Sequence, residues 1–177
     1  MLALLRGVNV GGKNKISMAE LKAAMLEEGY SGVETYINSG NILFDSARGD
    51  LPALQAELEE LLLRRFGLDI RLALLTVEQL QAAIAAAPDW WNSGEDTKHN
   101  AIFVIAPATA EEVMEQVGAA KPDVEKVAAS GPVIFWSAPL KTFSHTRWSK
   151  VVGTAAYGSI TIRNANTALR LAGVKKS

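Results

Sequence analysis

The chain has 177 residues, 49% of them hydrophobic and 21% charged, with no cysteine and a formal net charge of -1. A body of that length buries about 70% of the surface its unfolded chain exposes, so a real core is available and a disordered class is excluded. The missing cysteine excludes disulfides, thiolate nucleophiles and cysteine metal sites. The near-zero charge hides a segregation. Residues 1–19 hold Arg6, Lys13 and Lys15 without an acid, and the stretch from Lys126 to the end holds eight cations, Lys175 and Lys176 among them, again without one. All 19 carboxylates therefore lie between Glu20 and Glu125. Such a split suits a surface that meets phosphates or another acidic partner. It equally suits basic and acidic segments that neutralise each other across a fold.

In chain order, Leu2 to Leu5 reads as a strand, and Ser17 with Glu20 three positions on reads as a capping box opening a helix with Met18, Leu21, Met25 and Leu26 on one stripe. Val33, Thr35 and Ile37 alternate with polar residues, the turn Asn38-Ser39-Gly40-Asn41 follows, and Ile42 to Phe44 returns, which predicts a hairpin. Asp50 and Pro52 start a second helix that ends at Gly67, before a strand over Asp69–Leu75. A connecting helix opened by Thr76 comes next, and then the order recurs. Ala101 to Ile105 is a strand, Thr109 with Glu112 caps a helix, and Val124–Ala128 with Val133–Ser137 forms a hairpin. The segment Phe143 to Gly153 holds at most one helical turn, Ser159–Arg163 is a strand, and Asn164 caps a last helix. The economical reading is an α+β protein of two tandem ferredoxin-like, split βαββαβ, subdomains, at 1–75 and 99–177, joined by a helix and loop over 76–98.

The segment Arg6-Gly7-Val8-Asn9-Val10-Gly11-Gly12-Lys13-Asn14-Lys15 combines three glycines and three cations with no acid, where the chain passes from the first strand to the first helix. Backbone that bends tightly beside positive charge is what a phosphate needs. In a split βαββαβ unit this loop and the Asn38–Asn41 turn share one end of the sheet. That predicts an anion site from Arg6, Asn9, Gly11, Gly12, Lys13 and Lys15, helped by Asn38, Ser39, Gly40 and Asn41. A tight turn carrying two surface lysines is the plainer alternative.

The spacing Gly7 to Lys13 fits G-x-x-x-x-G-K, but Asn14 stands where a Ser or Thr hydroxyl would hold magnesium and the helix starts late, so a nucleoside triphosphatase is disfavoured. The topology also resembles RNA-recognition modules, yet on the two strands that would stack bases only Phe44 is aromatic. His99 and His145 are the only histidines. Adjacent Ser144 and His145 do not make a dyad by adjacency, and no metal-ligand spacing or cofactor motif is present. Lys141 to Lys150 is rich in side chains that grip phosphate oxygens, so Arg147 and Lys150, with Arg163 and Asn164 at the last strand-to-helix junction, form a second candidate set. Trp90 and Trp91 are read as anchors under a crossing loop in preference to a ligand platform.

Leu4-Leu5-Arg6-Gly7-Val8-Asn9-Val10-Gly11-Gly12, Asn38-Ser39-Gly40-Asn41 and Thr161-Ile162-Arg163-Asn164 together resemble the bacterial family known as domain of unknown function 1697. The resemblance spans essentially the whole chain and implies two ferredoxin-like subdomains, with no activity, cofactor or partner attached. Ala165 departs from the pattern, where relatives often carry a tryptophan.

The functional expectation is a cytoplasmic protein, given no secretory h-region at the start and no apolar run of about 18 residues. It binds a phosphate-bearing small molecule or a nucleic-acid backbone and has no membrane partner. A protein-protein interaction module is the alternative, and a small hydrolase or transferase the third.

Overall fold

Four consecutive apolar residues, Leu2–Leu5, make strand β1, and all four are buried in the computed structural model, which describes residues 1–174. A strand apolar on both faces belongs in the middle of a sheet. It is flanked by β3 (Asn41–Asp45) on one side and β4 (Leu72–Leu75) on the other, both antiparallel, and β2 (Ser31–Tyr36) pairs outside β3. The sheet order is β2-β3-β1-β4. This is the first of two compact units, Met1–Thr76, and the second starts at Val77.

Helices α1 (Met18–Glu27) and α2 (Leu51–Phe66) cover one face of the first sheet. Their apolar stripes pack on Ala3, Leu5, Ile42, Phe44 and Leu72. Ser17 caps α1 by accepting the Glu20 N–H at 3.3 Å, Asp50 caps α2 by accepting the Ala53 N–H at 3.0 Å, and Gly67 ends α2 at φ 65. Two details differ from the pattern read in the sequence. The buried stripe of α1 is Leu21, Ala24 and Met25, with Leu26 half exposed, because position 26 lies a further 100° round the helix. Ile37 belongs to the turn, at φ 49 and exposed, so the strand alternation stops at Tyr36. Phe44 is buried on the helix-covered face, which removes the one aromatic that base stacking required.

The second unit contains α3 (Val77–Ala85), β5 (Thr97–Val104), α4 (Ala110–Val117), β6 (Lys126–Ser130), β7 (Val133–Pro139), β8 (Ile160–Asn164) and α5 (Ala165–Leu171). Its sheet is also four-stranded and antiparallel, in the order β6-β7-β5-β8. Thr109 and Glu112 form a reciprocal capping box on α4, and Asn164 caps α5. Between β7 and β8 the first unit's long helix has no counterpart. Three 3-10 turns take its place, Leu140–His145, Trp148–Gly153 and Ala155–Ser159.

The reason is local competition for backbone groups. Thr146 Oγ1 donates to Phe143 O at 2.6 Å and accepts from Ser149 N, Ser149 Oγ donates to Thr146 O, and Thr154 Oγ1 donates to Val151 O. Hydroxyls that close short loops in this way stop a helix from propagating. Trp148, Val151 and Ala156 hold the segment down, packed with Ile102, Val113, Ile134 and Trp136.

Candidate functional site

The loop after β1 is a miniature hairpin. Lys13 N–H donates to Val10 O at 3.1 Å around Gly11 and Gly12, at φ 59 and 77, and Asn9 N–H donates to Asn14 O at 3.1 Å. Both central residues need positive φ in this type of turn, which is why two glycines sit there. Asn9 anchors the hairpin to its surroundings. Its Nδ2 donates to Ile16 O at 2.9 Å and to Asn38 O at 2.8 Å, while its Oδ1 accepts the Ile16 N–H at 3.0 Å.

The Asn38–Asn41 turn lies against the same end of the sheet. Leu5 N–H donates to Gly40 O at 2.8 Å, and a Cβ on Gly40 would stand 2.6 Å from Val8 Cγ2 and 2.7 Å from Leu5 Cβ, so only glycine fits. Asn41 is fully buried, and its Nδ2 donates to Tyr36 O and Ser39 Oγ, both at 2.9 Å. The side chains of Asn9 and Asn41 are thus engaged with the backbone that shapes this end of the sheet.

Beside the hairpin opens a cleft of about 740 Å³, lined by Asn9, Gly12, Lys15, Asn38 and the start of α1 from Ser17 to Glu20. Of the residues expected to bind an anion, Asn9, Gly12, Lys15 and Asn38 line it; Arg6, Gly11, Lys13, Ser39, Gly40 and Asn41 do not. The Arg6 amide is tied to Arg71 O at 2.9 Å, on the β4 side. Ser17 Oγ satisfies Glu20 N–H, which leaves the N–H groups of Met18 and Ala19 at the positive end of the helix without an intrahelical acceptor. Glu20 brings one carboxylate to the rim. Ion pairs in this unit join Arg48 to Glu57, Arg64 to Glu28, Arg65 to Glu27 and Arg71 to Glu59, whereas exposed Lys13 and Lys15 enter none among the described residues. Because α1 starts only at Met18 and the Lys13 amide is spent inside the hairpin, the loop does not wrap a phosphate as a P-loop does.

The second candidate set belongs to the second unit. Arg163 is buried, and its Nη1 donates to Thr161 Oγ1 at 2.8 Å and Ile162 O at 2.9 Å; burial pushes its guanidinium down to about 10. Asn164 Oδ1 is the α5 cap, accepting Thr167 N–H at 2.8 Å. Lys150 is exposed on the second 3-10 turn, and the Arg147 guanidinium lies so close over Gly118 that a Cβ there would collide with it. Lys175 and Lys176 lie outside the described residues.

Two features of this unit had no signature in the sequence. Glu125 is buried and accepts four N–H groups: Lys121 N and Arg147 N on Oε1 at 3.1 and 2.8 Å, Trp136 Nε1 and Trp148 N on Oε2 at 3.2 and 3.1 Å. It pins the middle of the β7–β8 crossover at Arg147 and Trp148. His99, which the sequence places ahead of a strand, lies within β5, with Nδ1 2.6 Å from Ser137 Oγ on β7. Register alone brings these residues together, 38 positions apart, and no local spacing encodes it. His145 and Ser144 are exposed. Trp91 is an anchor, buried, its Nε1 donating to Asn100 O at 2.8 Å and its ring edge-on to Phe135, while Trp90 is half-buried and lines a second cavity of about 300 Å³.

Among the described residues no helix is long and apolar enough to cross a membrane, and no group of three or more His, Asp and Glu is placed to hold a metal ion. A family model described as "Protein of unknown function (DUF1697)" matches residues 1–135. A solved structure of a conserved bacterial protein from Streptococcus pneumoniae is 30% identical, with a TM-score of 0.87 over 97% of this chain and 95% of that one. No curated protein sequence matches.

Proposed function

We propose that this chain, which belongs to the DUF1697 family of proteins of unknown function, binds a phosphate-bearing ligand, a small molecule or a nucleic-acid backbone, in the cleft beside the first unit's glycine hairpin. One observation carries the reading. The cleft is lined by Lys15 and the α1 N-terminus, so a cation outside any ion pair among the described residues and two amides with no helical acceptor stand around open space. Lys13, next to cleft-lining Gly12 on the hairpin and exposed, is a second nearby cation. Glu20 opposes, which favours a ligand whose phosphate sits nearer the hairpin than the end of the first turn. We read both units as ferredoxin-like on the strength of their shared strand order, the second with 3-10 turns in place of its second helix. The reading locates the protein in the cytoplasm, where phosphate-bearing metabolites and nucleic acids are found.

The test is a titration of wild type, Lys13→Ala and Lys15→Ala with ADP and a short single-stranded RNA at several salt concentrations. Each substitution should weaken binding and lower the salt slope by about 1 for the polyanion. Unchanged affinity in both variants removes the cleft as an anion site. A second reading, a protein-docking surface, is favoured by Val10 and Ile37, which are 65% and 51% exposed on the hairpin and on the turn bound to it. Complex formation that survives about 1 M salt, where charge is screened beyond about 3 Å, would select that reading.

A further inference from the structure

We propose that the second unit carries a serine nucleophile, Ser137, with His99 as its base, in the cavity beside Trp90, and that it takes acyl groups from small activated esters. The arrangement follows from the sheet register. Lys126, Ser137 and His99 are consecutive cross-strand neighbours on β6, β7 and β5, so their side chains emerge on one face, with Cβ atoms about 5 Å apart in each pair. Trp136, one residue earlier, points the other way into the apolar cluster with Trp148.

Ser137 is buried from bulk solvent yet lines the 300 Å³ cavity, together with Trp90, Ser93, Thr97 and Lys126. A serine shielded from bulk solvent and open to a water-accessible cavity of this size admits only a small substrate. Its Oγ lies 2.6 Å from His99 Nδ1, within reach of proton transfer. Burial is the largest influence on the ring and lowers its pKa, so the imidazole is neutral at physiological pH and one nitrogen is free to accept. Nε2 is buried without a partner at hydrogen-bond geometry, but the Ser93 and Gly94 backbone lies near enough to the ring to favour its protonated form. The mechanism uses the tautomer with the proton on Nε2, in which Nδ1 accepts from Ser137. Two acids line the cavity: Glu125, whose carboxylate is occupied by four N–H donors, and Asp123, which is exposed. Lys126, the cross-strand neighbour of Ser137 and exposed at the cavity lining, is the cation available to a developing oxyanion.

In the step proposed, Ser137 Oγ bonds to the ester carbonyl carbon, its proton passes to His99 Nδ1, and the carbon–oxygen bond to the leaving alcohol breaks. The alcohol departs with the proton from Nδ1. Water then adds to the acyl carbon as its proton passes to His99 Nδ1; the bond from that carbon to Ser137 Oγ breaks, Oγ takes the proton back from Nδ1, and a carboxylic acid is released. The cavity shares no residue with the cleft of the first unit, so the two readings stand or fall separately.

The test treats the full chain with a fluorophosphonate, in which the Ser137 Oγ–P bond replaces P–F and fluoride leaves, and maps the adduct by peptide mass spectrometry. Expected are one adduct on Ser137, none there in Ser137→Ala, and a rate at least about 100-fold lower in His99→Gln, the lower bound of a general base's contribution. No adduct on Ser137 in the wild type overturns the proposal, whether or not the alanine variant folds. So does an unchanged rate in a folded His99→Gln.

Discussion

Replacing Asn9 by alanine separates scaffolding from ligand binding at the first unit's cleft. The change deletes two hydrogen bonds to the backbone of Ile16, a residue only 5% exposed, and one to the exposed Asn38 carbonyl. A neutral hydrogen bond contributes about 1 kcal/mol, and leaving a buried partner unsatisfied costs about 1–3 kcal/mol, so the Ile16 pair accounts for roughly 2–3 kcal/mol and the solvent-facing Asn38 bond for a few tenths. Asn9 also sits at φ 53, where an alanine costs about 1 kcal/mol more than asparagine or glycine. The expected loss is therefore about 3–4 kcal/mol for Asn9→Ala and about 1 kcal/mol less for Asn9→Gly. All four tryptophans lie in the second unit, so fluorescence would miss the effect. Native-state hydrogen exchange read by mass spectrometry resolves the units, and protection should fall across Val8–Met25 and β1–β3 with little change beyond Val77. A loss below about 1 kcal/mol would mean that Asn9 does not hold the loop, and its polar atoms would return to the list of ligand contacts.

Glu125→Gln should cost the second unit about 3–6 kcal/mol, because its amide would face two of the four N–H donors and bonds to a charged acceptor contribute about 1.5–3 kcal/mol each. Denaturant unfolding followed by Trp136 and Trp148 emission measures it, and an unmoved midpoint would refute the hub. For His99 burial lowers the folded-state pKa below the ordinary 6.5, so the unfolded chain binds the extra proton first and stability falls as pH drops below about 6.5. His99→Gln should flatten that acid limb in the second unit; an identical pH dependence would show that the ring is not the group responsible.

Features set by a few neighbouring residues were legible before any coordinates. Ser17, Asp50, Thr109 and Asn164 each cap the helix that their sequence announces, and Gly67 ends α2 in the left-handed region, because a cap is chemistry over three or four positions. The β7–β8 crossover was legible only as an absence of period. Ser and Thr hydroxyls there close loops onto carbonyls three residues away, and Trp148 and Val151 are buried at a spacing that any tight turn shares. His99 with Ser137 and the four donors of Glu125 were not legible at all. Apart from Lys121, four positions before Glu125, their partners are set by strand register and by a loop folding back, 11 to 38 residues away, and no propensity scale carries that information.

The candidate site divides on the same physical line. A polar side chain in an irregular segment is first claimed by backbone that no helix or sheet satisfies, and only afterwards is it available to a ligand. Asn9 and Asn41 in the first unit, and Glu125, Asn164 and Thr146 in the second, meet that demand with named bonds. This explains why asparagines crowd the motif without needing a substrate to recognise. Lys13 and Lys15 cannot meet it in the same way, since an ammonium accepts no N–H and their chains are exposed. Their charge, unlike that of the arginines paired to glutamates in the same unit, is the part of the motif that scaffolding leaves unexplained. Ligand binding should accordingly be more sensitive to the lysines than to the asparagines, and stability the reverse.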